Sequence, residues 1–163
     1  YSAGGRYTYD DQAETPNTNI ATFTYDDGTM LVFEVRNRWT NDEAGVSVGN
    51  LFYGEGGYYV EGKGFFDTKN QLIELDAGKY PTPEAPSHFQ NFINAVKSRD
   101  KGEIKGNMDD AHVSCTCCHM ANTSYRLGRS LEFDPKALKF GDDEANSFLK
   151  RDYHPDFVVP TIA

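Results

Sequence analysis

His112, Cys115 and His119 are the tightest local set of residues able to do chemistry in this chain. Spacings of three and four put all three along one face of a helix. Two imidazoles and a thiolate, with Cys118 or an acid nearby, are the donor types that hold zinc. His112 and His119 are two turns apart, however, or about 10.5 Å of helix rise. Tetrahedral zinc needs its donors about 2.0–2.3 Å from one centre, and one straight helix rarely supplies three of them. No metal ligand is therefore expected. A nucleophile made of Cys115 with His112 or His119 meets a different objection. A catalytic thiol needs an exposed, electropositive setting, whereas Cys115 falls on the apolar stripe of its helix. The three thiols read as reduced and packed.

Carboxylates are abundant, as Asp10-Asp11, Asp26-Asp27, Asp109-Asp110 and Asp142-Asp143-Glu144. Each run already has a use as a turn former or as negative charge at a helix N-terminus. A glycosidic pair needs two acids converging across a cleft, which neighbours in sequence do not provide. Arg36, Arg38 and Trp39 close a strand-like run and could grip a sugar hydroxyl or a carboxylate; the plainer reading is a solvated strand end with cation–π packing. Arg6 and Tyr7 in the leading loop have the same status. Together with His119 they make up the expected substrate-binding set.

The elements that must position these residues follow from pattern. Asn19–Tyr25 and Thr29–Arg36 are β-rich runs joined by Asp26-Asp27-Gly28, a strong hairpin signal. Alternation turns Ala21, Phe23 and Tyr25 to one face, and the core is expected there. Further strands are expected at Val48–Tyr53, Tyr58–Glu61, Gly64–Asp67 and Gln71–Leu75, while residues 1–17 read as a loop. Pro81, Pro83 and Pro86 mark an extended connection. Beyond it Phe89, Phe92, Ile93 and Val96 recur at helical spacing, predicting a helix over Ser87–Ser98 capped by Ser87. A second helix is predicted over Asp109–Leu127, ended by Gly128 and buried on more than one side. A short third spans Asp142–Leu149. Strands first and helices second predict an α+β fold, an open, mainly antiparallel sheet with helices on one face. One domain over residues 1–163 is expected, residues 1–80 mostly strands and 87–150 mostly helices.

Composition narrows the function classes. The chain has 163 residues, a net charge of −9, ten Tyr and eleven Phe, an aromatic stock that disordered chains lack. No basic stripe suits phosphate neutralisation, so no nucleic-acid or membrane partner is expected. No apolar run approaches the roughly 18 residues of a membrane span. The first residue is Tyr1, and its surroundings lack the basic and apolar regions of a signal peptide. A processed product or excised piece of a larger protein is therefore expected. No Gly-x-Gly-x-x-Gly follows a strand and opens a helix, so a dinucleotide fold is not supported.

Several stretches, in order, carry a resemblance. His88-Phe89-Gln90-Asn91-Phe92-Ile93-Asn94-Ala95-Val96-Lys97-Ser98-Arg99 is similar to a helix of Gfo/Idh/MocA-type oxidoreductases. Asp110–Ser114, Cys118–Asn122 and Tyr125–Arg129 resemble that family's long late helix. Leu131–Pro135 and Asp143–Asn146 resemble its closing motifs, and Gly4–Tyr7 with Glu14–Thr18 the stretch that begins its sheet. The resemblance implies a C-terminal α+β domain that shapes a substrate pocket and joins subunits through its open sheet. It implies an N-terminal Rossmann partner domain that binds NAD or NADP, with no cofactor held by this piece. The family's Glu-Lys-Pro motif and its Asp-x-x-x-His before the first strand have no counterpart here, so this piece is expected to be inactive alone. A sugar or polyol-like substrate is implied. A free-standing carbohydrate- or protein-binding module is the competing reading. The clustered thiols favour a cytoplasmic setting slightly over the periplasmic one of some relatives.

Overall fold

The computed structural model describes residues 1–8, 10–36, 42–76, 78–79 and 86–157. The chain forms two compact units, Tyr1–Asn37 with Gly106–Ala163, and Arg38–Lys105. Each combines antiparallel strands with helix, in keeping with the expected α+β class.

In the first unit, β1 (Ser2–Gly5), β2 (Thr18–Thr24) and β3 (Met30–Arg36) form an antiparallel sheet in that order. The β2–β3 hairpin is the predicted one. Gly28 takes the left-handed φ of 86° in its turn, a conformation open to glycine at no steric cost. The Asp27 carboxylate accepts the Thr29 N–H at 2.8 Å, and that bond holds Asp27 below its ordinary carboxylate range. β1 lies within what the sequence presents as loop, because Ser-Ala-Gly-Gly carries no strand propensity. It forms through close approach instead. A Cβ on Gly4 would stand 2.1 Å from the Thr18 carbonyl oxygen, so β1 can lie this near β2 only with glycine there.

Helix α2 (Met108–Leu127) packs on β1. Asn107 Oδ1 caps it by accepting the Asp110 N–H at 2.9 Å, and Gly128 ends it at φ 67°. Both ends are local signals. Ala21, Asn19 and Ser2 are buried on the covered sheet face. Phe23 on that face is half-buried and Tyr25, beyond the strand, is exposed, which corrects the expectation that both are core. The helix is buried only in its second half, at Ala121, Thr123 and Ser124, while Met108–Cys115 is exposed throughout. The expected burial of α2 on more than one side is met in this second half, where Ala121 and Thr123 lie about 160° apart around the helix, and not in the first. A hairpin of β8 (Phe133–Asp134) and β9 (Lys139–Phe140) and helix α3 (Asp143–Ser147) complete the unit. The Phe133 and Phe140 rings meet edge-on at 5.1 Å.

The second unit carries the meander β4 (Leu51–Gly54), β5 (Gly57–Val60), β6 (Gly64–Asp67) and β7 (Leu72–Ile73), all antiparallel. It also carries α1 (His88–Ser98), which starts at the predicted Ser87 cap, where Ser87 Oγ accepts the Gln90 N–H. A short 3-10 turn, Lys101–Glu103, follows. The covered face of α1 is Asn91 and Ala95. Asn91 donates to the Glu103 carbonyl at 2.7 Å and accepts the Lys105 N–H at 3.1 Å, so one amide satisfies the returning backbone. Phe89, Phe92, Ile93 and Val96, the apolar stripe of this helix, are exposed.

Candidate functional site

The leading loop leaves β1 and returns to β2 through a narrow neck. Asn17 N donates to the Gly5 carbonyl at 3.1 Å. The Asn17 side chain brackets Tyr7, accepting its N–H at 3.0 Å and donating to its carbonyl at 2.9 Å. Arg6 is half-buried and turned into the loop, donating to the Thr15 carbonyl at 2.8 Å and pairing with Asp11. Tyr7 is exposed, its ring lying over Gly5. Glu14 reaches Arg126 of α2 at 3.4 Å.

Of the other expected substrate residues, Arg36 and His119 lie on separate elements. Arg36, at the end of β3, pairs with Glu34 on the same strand face. Arg38 and Trp39 lie outside the described residues. His119 is exposed on α2, its carbonyl accepting the Thr123 hydroxyl at 2.9 Å. Among the described residues no three His, Cys, Asp or Glu converge on a point able to hold a metal ion. Cys115 and Cys118 are exposed and only Cys117 is half-buried, so the expectation of three packed thiols is corrected. Among the described residues no element covers the half of α2 that carries Cys115, and its stripe is exposed. Burial, with Cys118 alongside, pushes the Cys117 thiol above its ordinary value.

Two features escaped sequence reasoning. The first is a buried polar chain that fixes α2 to the sheet. Ser2 N donates to Ser124 Oγ at 2.9 Å, and Ser124 Oγ donates to the Arg129 carbonyl at 2.7 Å. Asn19 Nδ2 donates to Ser2 Oγ at 2.9 Å. Arg129 then forks onto Asp142 at 2.8 Å and Glu144 at 3.0 Å. Its guanidinium, with the Ala145 N–H, holds Asp142 below the ordinary carboxylate range. A backbone N–H and a serine hydroxyl 122 residues apart leave no pattern in the sequence. The second is Asn122, whose Oδ1 is a buried acceptor without a donor among the described residues. It lies one helical turn beyond His119, and buried acceptors are rarely left open.

The second unit presents two aromatic ladders. Tyr53, Tyr58 and Phe66 stack along one face of the sheet, with centroids 5.8 and 5.1 Å apart. Phe52, Tyr59 and Phe65 line the other at 6.0 and 4.7 Å. The Tyr58 ring is stacked between its two neighbours, so its faces are not turned outward.

Comparison with known families places the chain. It matches the Gfo/Idh/MocA oxidoreductase family, C-terminal alpha/beta domain, over residues 8–159, and belongs to that family. Comparison with curated proteins and with solved structures gives no significant match. The family's nicotinamide dinucleotide needs backbone N–H groups at a glycine-rich turn between a parallel strand and a helix. The described strands pair antiparallel throughout. The first turn of α2 carries Asp109 and Asp110, which repel a pyrophosphate. These residues do not fit that group.

Proposed function

We propose that this chain, as the C-terminal domain of that oxidoreductase family, shapes the substrate site and joins subunits of an NAD(P)-dependent enzyme acting on a sugar or polyol-like compound. On this reading the dinucleotide and the proton-transferring lysine belong to an N-terminal Rossmann domain, and this chain alone does not turn over substrate. Its contribution is hydrogen bonding to substrate hydroxyls. Arg6, Tyr7, Arg36, Arg38, Trp39 and His119 are the proposed contacts.

The observation that carries this reading is the distribution of apolar surface. Among the described residues the buried apolar ones are Ala21, Ala121, Phe140 and Ala145 in one unit and Val60 and Ala95 in the other. β3 is exposed along its whole length, as are Phe52 and Tyr53 on opposite faces of the second sheet. Monomeric proteins rarely leave contiguous apolar patches so open, and a domain made to meet another domain and other subunits does.

Two measurements test it. Fluorescence titration of NADH and NADPH into the chain is expected to give no saturable binding; a saturable signal overturns the division of labour. Sedimentation of the chain is expected to show concentration-dependent association that Phe52→Ser with Tyr53→Ser weakens. A strictly monomeric chain at high concentration overturns the subunit-joining role.

A further inference from the structure

We propose that Cys115 and Cys118 form a vicinal dithiol that a small-molecule disulfide converts into a disulfide within helix α2. The inference is independent of the substrate reading above.

Both thiols are exposed, and the third, Cys117, is half-buried. At about 100° per residue, Cys115 and Cys118 stand about 60° apart around the helix and one turn apart along it. Cys117 is about 160° from Cys115, on the far side. Residues one apart on a helix do not face each other, which sets aside a Cys117–Cys118 link. Cβ atoms three residues apart lie about 5–6 Å from each other, whereas a disulfide holds them at about 3.5–4.5 Å. The turn must therefore tighten by about 1–2 Å. Passing locally into 3-10 geometry does this, since it eclipses residues three apart.

This part of α2 is where such tightening meets least resistance. Met108–Cys115 is exposed residue by residue, and the buried anchorage begins only at Ala121. The tie from Ser124 to Ser2 lies two turns further on. His112 and His119 stand one turn before and one turn after Cys115 on the same face and are also exposed, where an imidazole can take up the thiol proton. Cys117, with its thiol pushed up by burial, forms the attacking thiolate less readily.

The exchange balances with a low-molecular-weight disulfide such as oxidised glutathione. The Cys115 thiolate attacks one glutathione sulfur, forming a mixed disulfide and expelling one glutathione thiolate. The Cys118 thiolate attacks the Cys115 sulfur, closing the protein disulfide and expelling the second. Two protein thiols are oxidised, one glutathione disulfide is reduced to two thiols, and the two protein protons pass to the departing glutathiones.

The test uses the full chain incubated with oxidised glutathione, quenched with acid, alkylated in denaturant and mapped by peptide mass spectrometry. Cys115 and Cys118 are expected to lose alkylation together with the loss of two hydrogens, and Cys117 to stay alkylated. Cys118→Ser is expected to leave glutathione held on Cys115, and Cys117→Ser to change nothing. Glutathione on both cysteines of the wild type without closure, a disulfide that includes Cys117, or three thiols that all stay alkylatable each overturn the proposal. The same incubation in urea is expected to lose the preference for the Cys115–Cys118 pair. A preference that survives unfolding overturns the helical explanation.

Discussion

Replacing Ser124 by alanine removes a hydroxyl that joins α2 to β1. Ser124 is 3% exposed and Ser2 is 2% exposed, so no solvent stands ready to replace it. The hydroxyl uses one donor and one acceptor, giving to the Arg129 carbonyl and receiving from Ser2 N. A buried hydrogen bond contributes about 1 kcal/mol net, and a buried donor left without a partner costs about 1–3 kcal/mol. Losing the first and orphaning the Ser2 N–H together predict a destabilisation of about 2–4 kcal/mol. With a urea m-value of about 1–3 kcal/mol per molar, the unfolding midpoint falls by on the order of 1 M. The assay is urea denaturation followed by circular dichroism, paired with hydrogen exchange at the Ser2 amide. That amide is expected to be protected in the wild type and to exchange freely in Ser124→Ala. A change within about 0.5 kcal/mol, the range of ordinary surface substitutions, with the Ser2 amide still protected, would refute the argument that this hydroxyl fixes the helix to the sheet.

Four further outcomes are expected. Gly4→Ala places a methyl 2.1 Å from the Thr18 oxygen and is expected to cost about 1–3 kcal/mol or more in urea denaturation. Gly56→Ala, with nothing within 4 Å of its Cβ, is expected to change stability by less than about 0.5 kcal/mol. Asn91→Ala removes the amide that joins Glu103 and Lys105 to α1, and the Lys105 N–H is expected to lose its exchange protection while the helix persists. Asp142 titrates below its ordinary value of 3.8 because of Arg129. Its contribution to stability is thus complete above that value and is lost as pH falls through the lowered one. In Arg129→Gln the Asp142 carboxyl is expected to titrate closer to 3.8, read by carbon NMR.

The α+β class, the β2–β3 hairpin and the ends of α1 and α2 are legible in the sequence because their causes are local. A left-handed Gly28, a Ser87 cap and a Gly128 terminator each act on backbone groups a few residues away. The same is true of the helical period that carries Phe89, Phe92, Ile93 and Val96. The period says that this helix has an apolar face, and correctly so; it does not say what lies against it. Asn91 is what the structure covers, because its amide meets a backbone segment that returns twelve residues later. β1 escapes for a related reason. Its four small residues have no preference of their own, and only the close approach of β2 makes them a strand.

The candidate site divides in the same way. Residue types pointed to Arg6, Tyr7, Arg36 and His119 as able to bind hydroxyls, and their chemistry is a property of the sequence. Arg6 is drawn into its own loop by Asp11 and Thr15, and Arg36 pairs with Glu34; those commitments depend on folded backbone paths. The sequence by itself determined most element types, β1 excepted, and with them helix ends and family membership, since each rests on short-range order or on residues in register. Tertiary structure alone decided which faces are covered, that Ser2, Ser124 and Arg129 form one polar chain, and that Cys115 and Cys118 face solvent while Cys117 is half-buried. Burial is set by contacts between residues far apart in the chain, and the spacing of neighbours carries no record of them.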